Sequence, residues 1–306
     1  MTLDQLRTFV TVARLKSFSR AADALNLTQP AVSTQIAALE KEYRVALFHR
    51  TTKGVGLTQA GEIVLTSAKE ILRTLEETRQ SLDALQGLAR GKVNLGASLI
   101  AGIYVLPRIL GEFKLRHPEI EINLQVEHAP KIVEQIVAHN LELGFVGEGN
   151  PIKHPQLAVK PFLNDAFLVI TSRHHPWSKS KTISLPALAA QSFIASHPES
   201  ATRQVIERQL ASAGIKLNIV MQMENIEMIK KAVEANLGVS IMSKFAIQQE
   251  IETRRLHALR IAKTPLHRQM YIVWHKDRRL SKAAEAFLDF FVKNVAVTKG
   301  AKRGEV

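Results

Sequence analysis

Cysteine is absent from the 306 residues. That excludes a disulfide framework, a thiolate metal site and a cysteine nucleophile. Long apolar runs are absent as well, and none approaches about 18 residues, so no transmembrane helix is expected. The chain goes straight into an amphipathic pattern at Leu3, so no secretory leader is expected and a cytoplasmic protein is the default reading. Catalytic signatures are missing. The 11 histidines are scattered, with no H-E-x-x-H, and there is no G-x-S-x-G and no P-loop. Gly147-Glu148-Gly149 opens like a dinucleotide loop but has Ile152 where the third glycine belongs. His174-His175, followed by Pro176, reads as an exposed turn, because a metal site needs more ligands than the sequence gathers. No cofactor and no metal are expected, and an enzyme is poorly supported.

The length allows two or three domains with a sizeable core. The net charge of +13 suggests a polyanionic partner. Its distribution is uneven. Residues 1–90 carry 12 Lys+Arg and 9 Asp+Glu, a net +3, and the remainder carries 29 and 19, a net +10. Two readings stand for the excess: solubility with general attraction to DNA, or an anion-binding C-terminal domain.

The densest pattern lies between Ser17 and Glu40. It reads as two short helices joined at Leu25-Asn26-Leu27, with Ser19 and Thr28 as caps and Pro30 in the first turn of the second helix. Val32, Ile36 and Leu39 form one apolar stripe. Pro30, Ser33, Thr34 and Ala37 point the other way, flanked by Gln29 and Gln35. This is the layout of a helix-turn-helix whose second helix enters the major groove. A support helix over Leu3–Leu15 precedes it. Two short extended runs around Lys53-Gly54 follow it and read as a wing. There Arg50, Thr51 and Lys53 are candidates for phosphate or minor-groove contact, with an ordinary pairing of Arg50 to Glu40 or Glu42 as the other reading.

From Thr58 a long helix runs to about Ala89. Val64, Ala68, Ile71, Leu75, Thr78, Leu82 and Leu85 form a heptad seam. A narrow stripe on a long charged helix points to pairing with a second copy, chiefly through Ile71, Leu75 and Leu82, with packing against its own C-terminal domain as the other reading. Beyond Gly87–Gly91, strands and helices alternate, which argues for an α/β domain with a parallel sheet and covering helices. Strands are expected near Val93–Ala97, Ile120–Val126, Leu143–Val146, Leu157–Leu163, Phe167–Thr171, Phe193–Ala195, Ile219–Gln222, Val239–Met242 and Gln269–Trp274. Helices are expected near Tyr104–Arg116, Lys131–His139, Ala201–Ala213, Ile226–Ala235 and Lys282–Asn294.

Ala21-Ala22, Leu27-Thr28-Gln29-Pro30-Ala31-Val32-Ser33, Gln35-Ile36, Leu39-Glu40, Leu47-Phe48-His49-Arg50 and Leu57-Thr58-Gln59-Ala60-Gly61 together resemble the LysR-type transcriptional regulators. The resemblance covers nearly the whole chain. It implies a winged helix-turn-helix over residues 1–58, a linker (dimerisation) helix over 59–90 and an effector-binding domain over 91–296. That domain would resemble a periplasmic binding protein, with lobe I at about 91–161 and 266–296 and lobe II at about 162–265. A flexible tail over 297–306 would follow. The crossovers between lobes are implied near Val159–Leu163 and Ile261–Leu266.

By resemblance, Gln29, Pro30, Ser33 and Gln35 contact bases and phosphates of double-stranded promoter DNA. Thr34 stands where a longer basic residue is frequent. Ligands in such folds sit at strand ends, where helix N-termini offer N–H groups. Three loops qualify. They supply Ser98 and Ile100; Ser196, Glu199, Ser200, Thr202 and Arg203; and Asn225 and Glu227. Ser200-Ala201-Thr202-Arg203 replaces the family's glycine-containing S-G-T-R. Arg203 reads equally as a ligand cation or as a salt-bridge partner, and Glu199 and Glu227 as partners of a cationic group or of Arg203. The resemblance implies a dimer or tetramer that meets RNA polymerase and responds to a small anionic effector. The second reading is an architectural DNA-binding protein with an unused cleft.

Overall fold

The computed structural model describes residues 1–51, 54–85, 91–148 and 152–300, with side chains defined except at 50, 51, 76, 77, 79–85, 148 and 296–300. It divides into two compact units, Met1–Arg90 and Gly91–Val306.

The first unit begins with α1 (Leu3–Leu15), α2 (Phe18–Leu25) and α3 (Gln29–Tyr43). Thr2 and Gln5 form a reciprocal capping box at the start of α1. The cap of α2 is Ser17, whose hydroxyl accepts from the Arg20 N–H, and not the expected Ser19. Ser17 is the last extended residue before the helix, whereas Ser19 already has helical backbone and bonds Gln29 instead. Thr28 caps α3 by accepting from the Ala31 N–H. The tight turn between α2 and α3 places Asn26 at φ 54°, a left-handed position that Asn tolerates better than most residues.

Leu6, Phe9, Val12, Ala21, Ala22, Val32, Ile36 and Leu39 meet in one core. The wing strands β1 (Phe48–Thr51) and β2 (Gly54–Leu57) pair antiparallel, with Thr51 opposite Gly54. Gly54, at φ 126°, lies against the Lys16 carbonyl, and a Cβ there would sit 2.6 Å from that oxygen. Any side chain would push the wing off α1.

Thr58 caps α4 (Gln59–Leu85), its hydroxyl accepting from the Gly61 N–H. The heptad seam divides along this helix. Val64 and Ala68 pack on the unit's own core together with Leu65 and Leu72, whereas Ile71 and Leu75 are exposed. The side chain of Leu82 lies outside the described residues.

The second unit contains, in order, β3 (Gly91–Ala97), a π-turn over Ala101–Val105, α5 (Leu106–Arg116), β4 (Ile120–Val126), α6 (Ala129–Val137) and β5 (Leu143–Glu148). Then come β6 (Leu157–Ser172), β7 (Thr182–Ile183), α7 (Leu185–Ala189), β8 (Ser192–Ser196), α8 (Ala201–Ala211), β9 (Asn218–Met223) and α9 (Ile226–Glu234). The unit closes with β10 (Ser240–Ser243), a 3-10 turn over Lys244–Ile247, α10 (Gln248–Glu252), β11 (Leu256–Ile261), β12 (His267–His275) and α11 (Lys282–Gly300). The sheet order is β4-β3-β5-β12-β6-β11-β7, with β10 also paired to β6.

Two lobes share this sheet. In one, parallel β4, β3 and β5 continue into antiparallel β12, covered by α5 and α11 on one face and by α6 on the other. In the other, β10, β11 and the far half of β6 are packed between the α8 and α9 sides. Burial on both faces explains why these strands read as apolar runs without alternation.

Two expected strands, at Leu157–Leu163 and Phe167–Thr171, are one strand of 16 residues. Asn164-Asp165 looks like a turn in the sequence, but Asp165 is fully buried and paired, so the strand runs through it. Residues 157–166 of β6 pair with β12, and 167–172 pair with β10 and β11. The crossing between lobes therefore falls at Ala166–Phe167, later than the expected Val159–Leu163. The return ends at Leu266, whose carbonyl accepts from the Phe167 N–H. The tail expected from Val297 continues as helix to Gly300.

Candidate functional site

On α3, Gln29, Pro30, Ser33 and Thr34 are all exposed. The Thr34 hydroxyl donates back to the Pro30 carbonyl at 2.9 Å. The Gln29 amide oxygen accepts from Ser19, and the Gln35 amide oxygen accepts from the buried Thr8 hydroxyl. Each glutamine thus has its oxygen engaged and its N–H₂ donors to offer. A two-bond contact from Gln29 to adenine needs both ends of the amide, so Ser19 must release it first. Gln35 is half-buried and held more firmly. In the wing, Lys53 and the side chains of Arg50 and Thr51 lie outside the described residues. Glu40, one expected partner of Arg50, accepts from the Leu47 and Phe48 N–H groups and so fixes the start of the wing.

In the second unit, the C-terminal ends of β3, β4, β5, β8 and β9 converge on a cavity of about 580 Å³. Ser98, Ile100, Ser196, Glu199, Ser200, Thr202, Arg203 and Asn225 all line it. Glu227 does not. It turns to Lys230 and accepts from the Tyr104 hydroxyl. Ser98 accepts from the Gly147 N–H, Ser200 caps α8 and Asn225 caps α9. These caps aim two helix N-termini at the cavity, where unpaired N–H groups favour an anion.

Arg203 has both internal partners and a place in the cavity wall. Its guanidinium donates to Glu207, to the Ser196 carbonyl at 2.6 Å and to Gln222 at 2.7 Å. These bonds tie β8, α8 and β9 together through Nε and Nη1.

The cation at the inner wall is Arg268, on β12, which the sequence reading missed. Its side chain is 3% exposed and forms an ion pair with the fully buried Asp165. Nε donates to Asp165 Oδ2 and Nη1 to Thr202 Oγ1, both at 3.0 Å. Ser243 donates to the other Asp165 oxygen at 2.7 Å. Nη2 lies 3.0 Å from Asp165 Oδ2, buried and without an aligned hydrogen bond. A Cβ on Gly147 would sit 3.0 Å from Arg268 Nε, so glycine is the residue that lets β5 lie this close. Burial raises the Asp165 carboxyl above its ordinary range, opposed by the Arg268 charge and the Ser243 hydrogen bond. Arg268 thus sits at the junction of the lobes, against β5 of one and the start of α8 in the other.

A second network crosses the lobes behind the cavity wall. Lys230, 5% exposed, bonds Glu227, the equally buried Glu250 and the Ala246 carbonyl. Its ammonium lies 5.8 Å from the centre of the Tyr104 ring. Burial alone would lower the Lys230 pKa, but hydrogen bonds to Glu227 and Glu250 outweigh it and the net direction is upward. Burial likewise raises the Tyr104 hydroxyl. Glu127, Glu199 and Glu224 stand exposed at the cavity rim.

A helix-turn-helix reader joined in one chain to a two-lobed domain with a cavity between its lobes defines a ligand-responsive DNA-binding regulator. The description "Bacterial regulatory helix-turn-helix protein, lysR family" matches residues 3–62, and "LysR substrate binding domain" matches 86–296. The chain belongs to the LysR family of transcriptional regulators. It is 36% identical over 298 residues, 97% of either chain, to the HTH-type transcriptional activator CmpR of Synechocystis sp.. It is 36% identical over 296 residues, again 97% of either chain, to the RuBisCO operon transcriptional regulator of Allochromatium vinosum. The regulatory domain of Synechocystis CcmR, solved in complex with 2-PG, superposes with a TM-score of 0.61 at 27% identity, covering 67% of this chain and 98% of that one. Among the described residues no helix is long and apolar enough to cross a membrane, and no group of three His, Asp or Glu side chains is placed to hold a metal ion.

Proposed function

We propose that this protein is a cytoplasmic, non-enzymatic, oligomeric regulator of transcription whose effector is a small organic anion bound between the lobes. One observation carries the reading: Arg268, a nearly buried cation, lines the same cavity as Ser200 and Ala201 at the N-terminus of α8. The forked donor geometry of arginine suits a carboxylate or phosphate. Ser98, Ser200 and Thr202 supply hydroxyls, and Ile100 supplies an apolar wall. The glutamates at the rim repel a ligand that leaves a second charge at the mouth, so the effector carries its charge at the buried end. The complex of CcmR with 2-PG is in keeping with this chemistry.

Ligand binding at Arg268 acts on the pairing with Thr202 and hence on the angle between lobes, which is the route to the DNA reader. Gln29, Pro30, Ser33, Thr34 and Gln35 face the operator, with Arg50, Thr51 and Lys53 on the wing. Ile71, Leu75 and Leu82 pair two copies, and RNA polymerase is the further partner.

The test is a thermal-shift screen of the full chain against inorganic phosphate, acetate and 2-PG, followed by operator footprinting with any anion that binds. Binding stabilises by RT ln(1 + [L]/Kd). A shift together with an altered footprint supports the reading. A stable footprint that ignores every anion favours the architectural alternative.

A further inference from the structure

The charge excess of the second unit has a location. The sequence contains no Asp or Glu from 166 through 198, nor from 253 through 276. The sheet brings these two acid-free stretches together. Leu256 of β11 pairs with Ser172, the residue before Arg173. His257 bonds the Ser180 carbonyl, between Lys179 and Lys181. The Arg260 N–H donates to the Lys181 carbonyl and the Ala262 N–H to Ile183. Arg173, Lys179, Lys181, Arg260 and Lys263 are all exposed. The backbone pairing gathers them into a basic stripe along the β11–β7 edge, and β7 is the last strand of the sheet.

Lysines on an edge strand also deter edge-to-edge pairing. That accounts for Lys181 and not for Arg173 or Lys263, and mixed charges would serve it equally well. The stripe instead fits a linear polyanion. At about 3.3 Å per residue the six residues of β11 alone span about 20 Å. Over that length duplex DNA carries on the order of ten phosphates.

We infer that this edge of the second lobe is a docking surface for the phosphate backbone of DNA flanking the site read by the helix-turn-helix. The inference rests on the DNA-binding role. The occupant is DNA rather than an acidic protein because the chain already holds DNA, which places flanking duplex at high effective concentration. The reader itself is only mildly basic, at a net +3 over residues 1–90. The rest of the chain supplies the missing electrostatic attraction.

The experiment measures salt-dependent affinity of the full-length protein for two duplexes. One is limited to the operator footprint, and the other is extended by two helical turns on each side. The variant is the triple Lys179→Gln, Lys181→Gln, Lys263→Gln. The control replaces the same lysines by arginine. On the long duplex the glutamine triple lowers the slope of log K against log salt by about 1 to 3, at roughly 0.9 for each phosphate that is no longer neutralised. On the short duplex it matches the wild type, and the arginine triple matches the wild type on both. A glutamine triple with the wild-type slope on the long duplex overturns the proposal. Unchanged slopes with impaired activation by RNA polymerase would also overturn it, by assigning the face to an acidic protein. A wild-type chain that forms no specific complex overturns the DNA-binding role itself and this proposal with it.

Discussion

The DNA reader and the effector cleft solve the same problem in opposite ways. On α3 the polar side chains proposed to meet DNA are close in sequence, carried by a locally capped helix and, except for half-buried Gln35, exposed. In the cleft the central charge is buried, and its partners come from far along the chain: Asp165 lies 103 residues from Arg268, and Thr202 lies 66. The reader meets a partner that supplies its own charge, so it needs shape and hydrogen-bond donors. The proposed anion site holds its cation out of water, so it keeps a counter-ion inside. The lesson is that single exchanges on the exposed face of the reader spare its fold, whereas an exchange at Arg268 also strikes the integrity of the second unit.

Arg268→Met is the sharpest way to break that contrast. It strands Asp165 in the interior and should destabilise the second unit by about 3–5 kcal/mol, measured by denaturant unfolding. Adding Asp165→Asn should restore most of the loss. A single-variant loss below about 1 kcal/mol would show that the pair is not a joint of the fold. On the reader, Gln29→Ala should leave stability unchanged and cost about 1–3 kcal/mol of discrimination between the operator and a single-base variant. Competition binding checks this. An equal loss on all sequences would make Gln29 an anchor and not a reader. Thr28→Ala should cost the first unit about 1 kcal/mol by uncapping α3, read as a shift in its thermal midpoint. Tyr104→Phe should cost the second unit only about 0.5–1.5 kcal/mol, since Glu227 keeps Lys230.

The buried lysine adds a pH test. Its folded pKa is raised, so its stabilisation is fully present below the ordinary lysine value and is lost as pH climbs through the raised value. Lys230→Met should flatten that alkaline limb.

The contrast also decides what could be read in advance. Periodicity and caps act within a few residues, so the Val32-Ile36-Leu39 stripe, the Thr28 cap and the wing were legible. Ser98, Ser196, Thr202 and Asn225 were legible too, because strand ends and helix starts are local features. Arg268 and Asp165 were not. Each is a charge inside an apolar strand, and only the three-dimensional pairing explains it. The available signal was the interruption itself, since charged residues are almost never fully buried unless paired. Glu227 was misplaced for a related reason: its first-turn position on α9 suits a ligand, but Lys230 one turn later captures it. Ala68 shows the same limit on α4. A heptad pattern identifies a face but not which part of it the protein's own core has already covered.

Arg268 is the proposed anion receptor, and the conservative variant Arg268→Lys tests that role directly. It keeps a positive charge for Asp165 and removes the forked donor set. Calorimetric titration of the full-length wild type and this variant, with an anion that stabilises the wild type, should show at least roughly tenfold weaker binding in the variant, about 1.4 kcal/mol, with its operator affinity retained in the absence of anion. Equal anion affinity in the two proteins would contradict the assignment of Arg268 as the receptor.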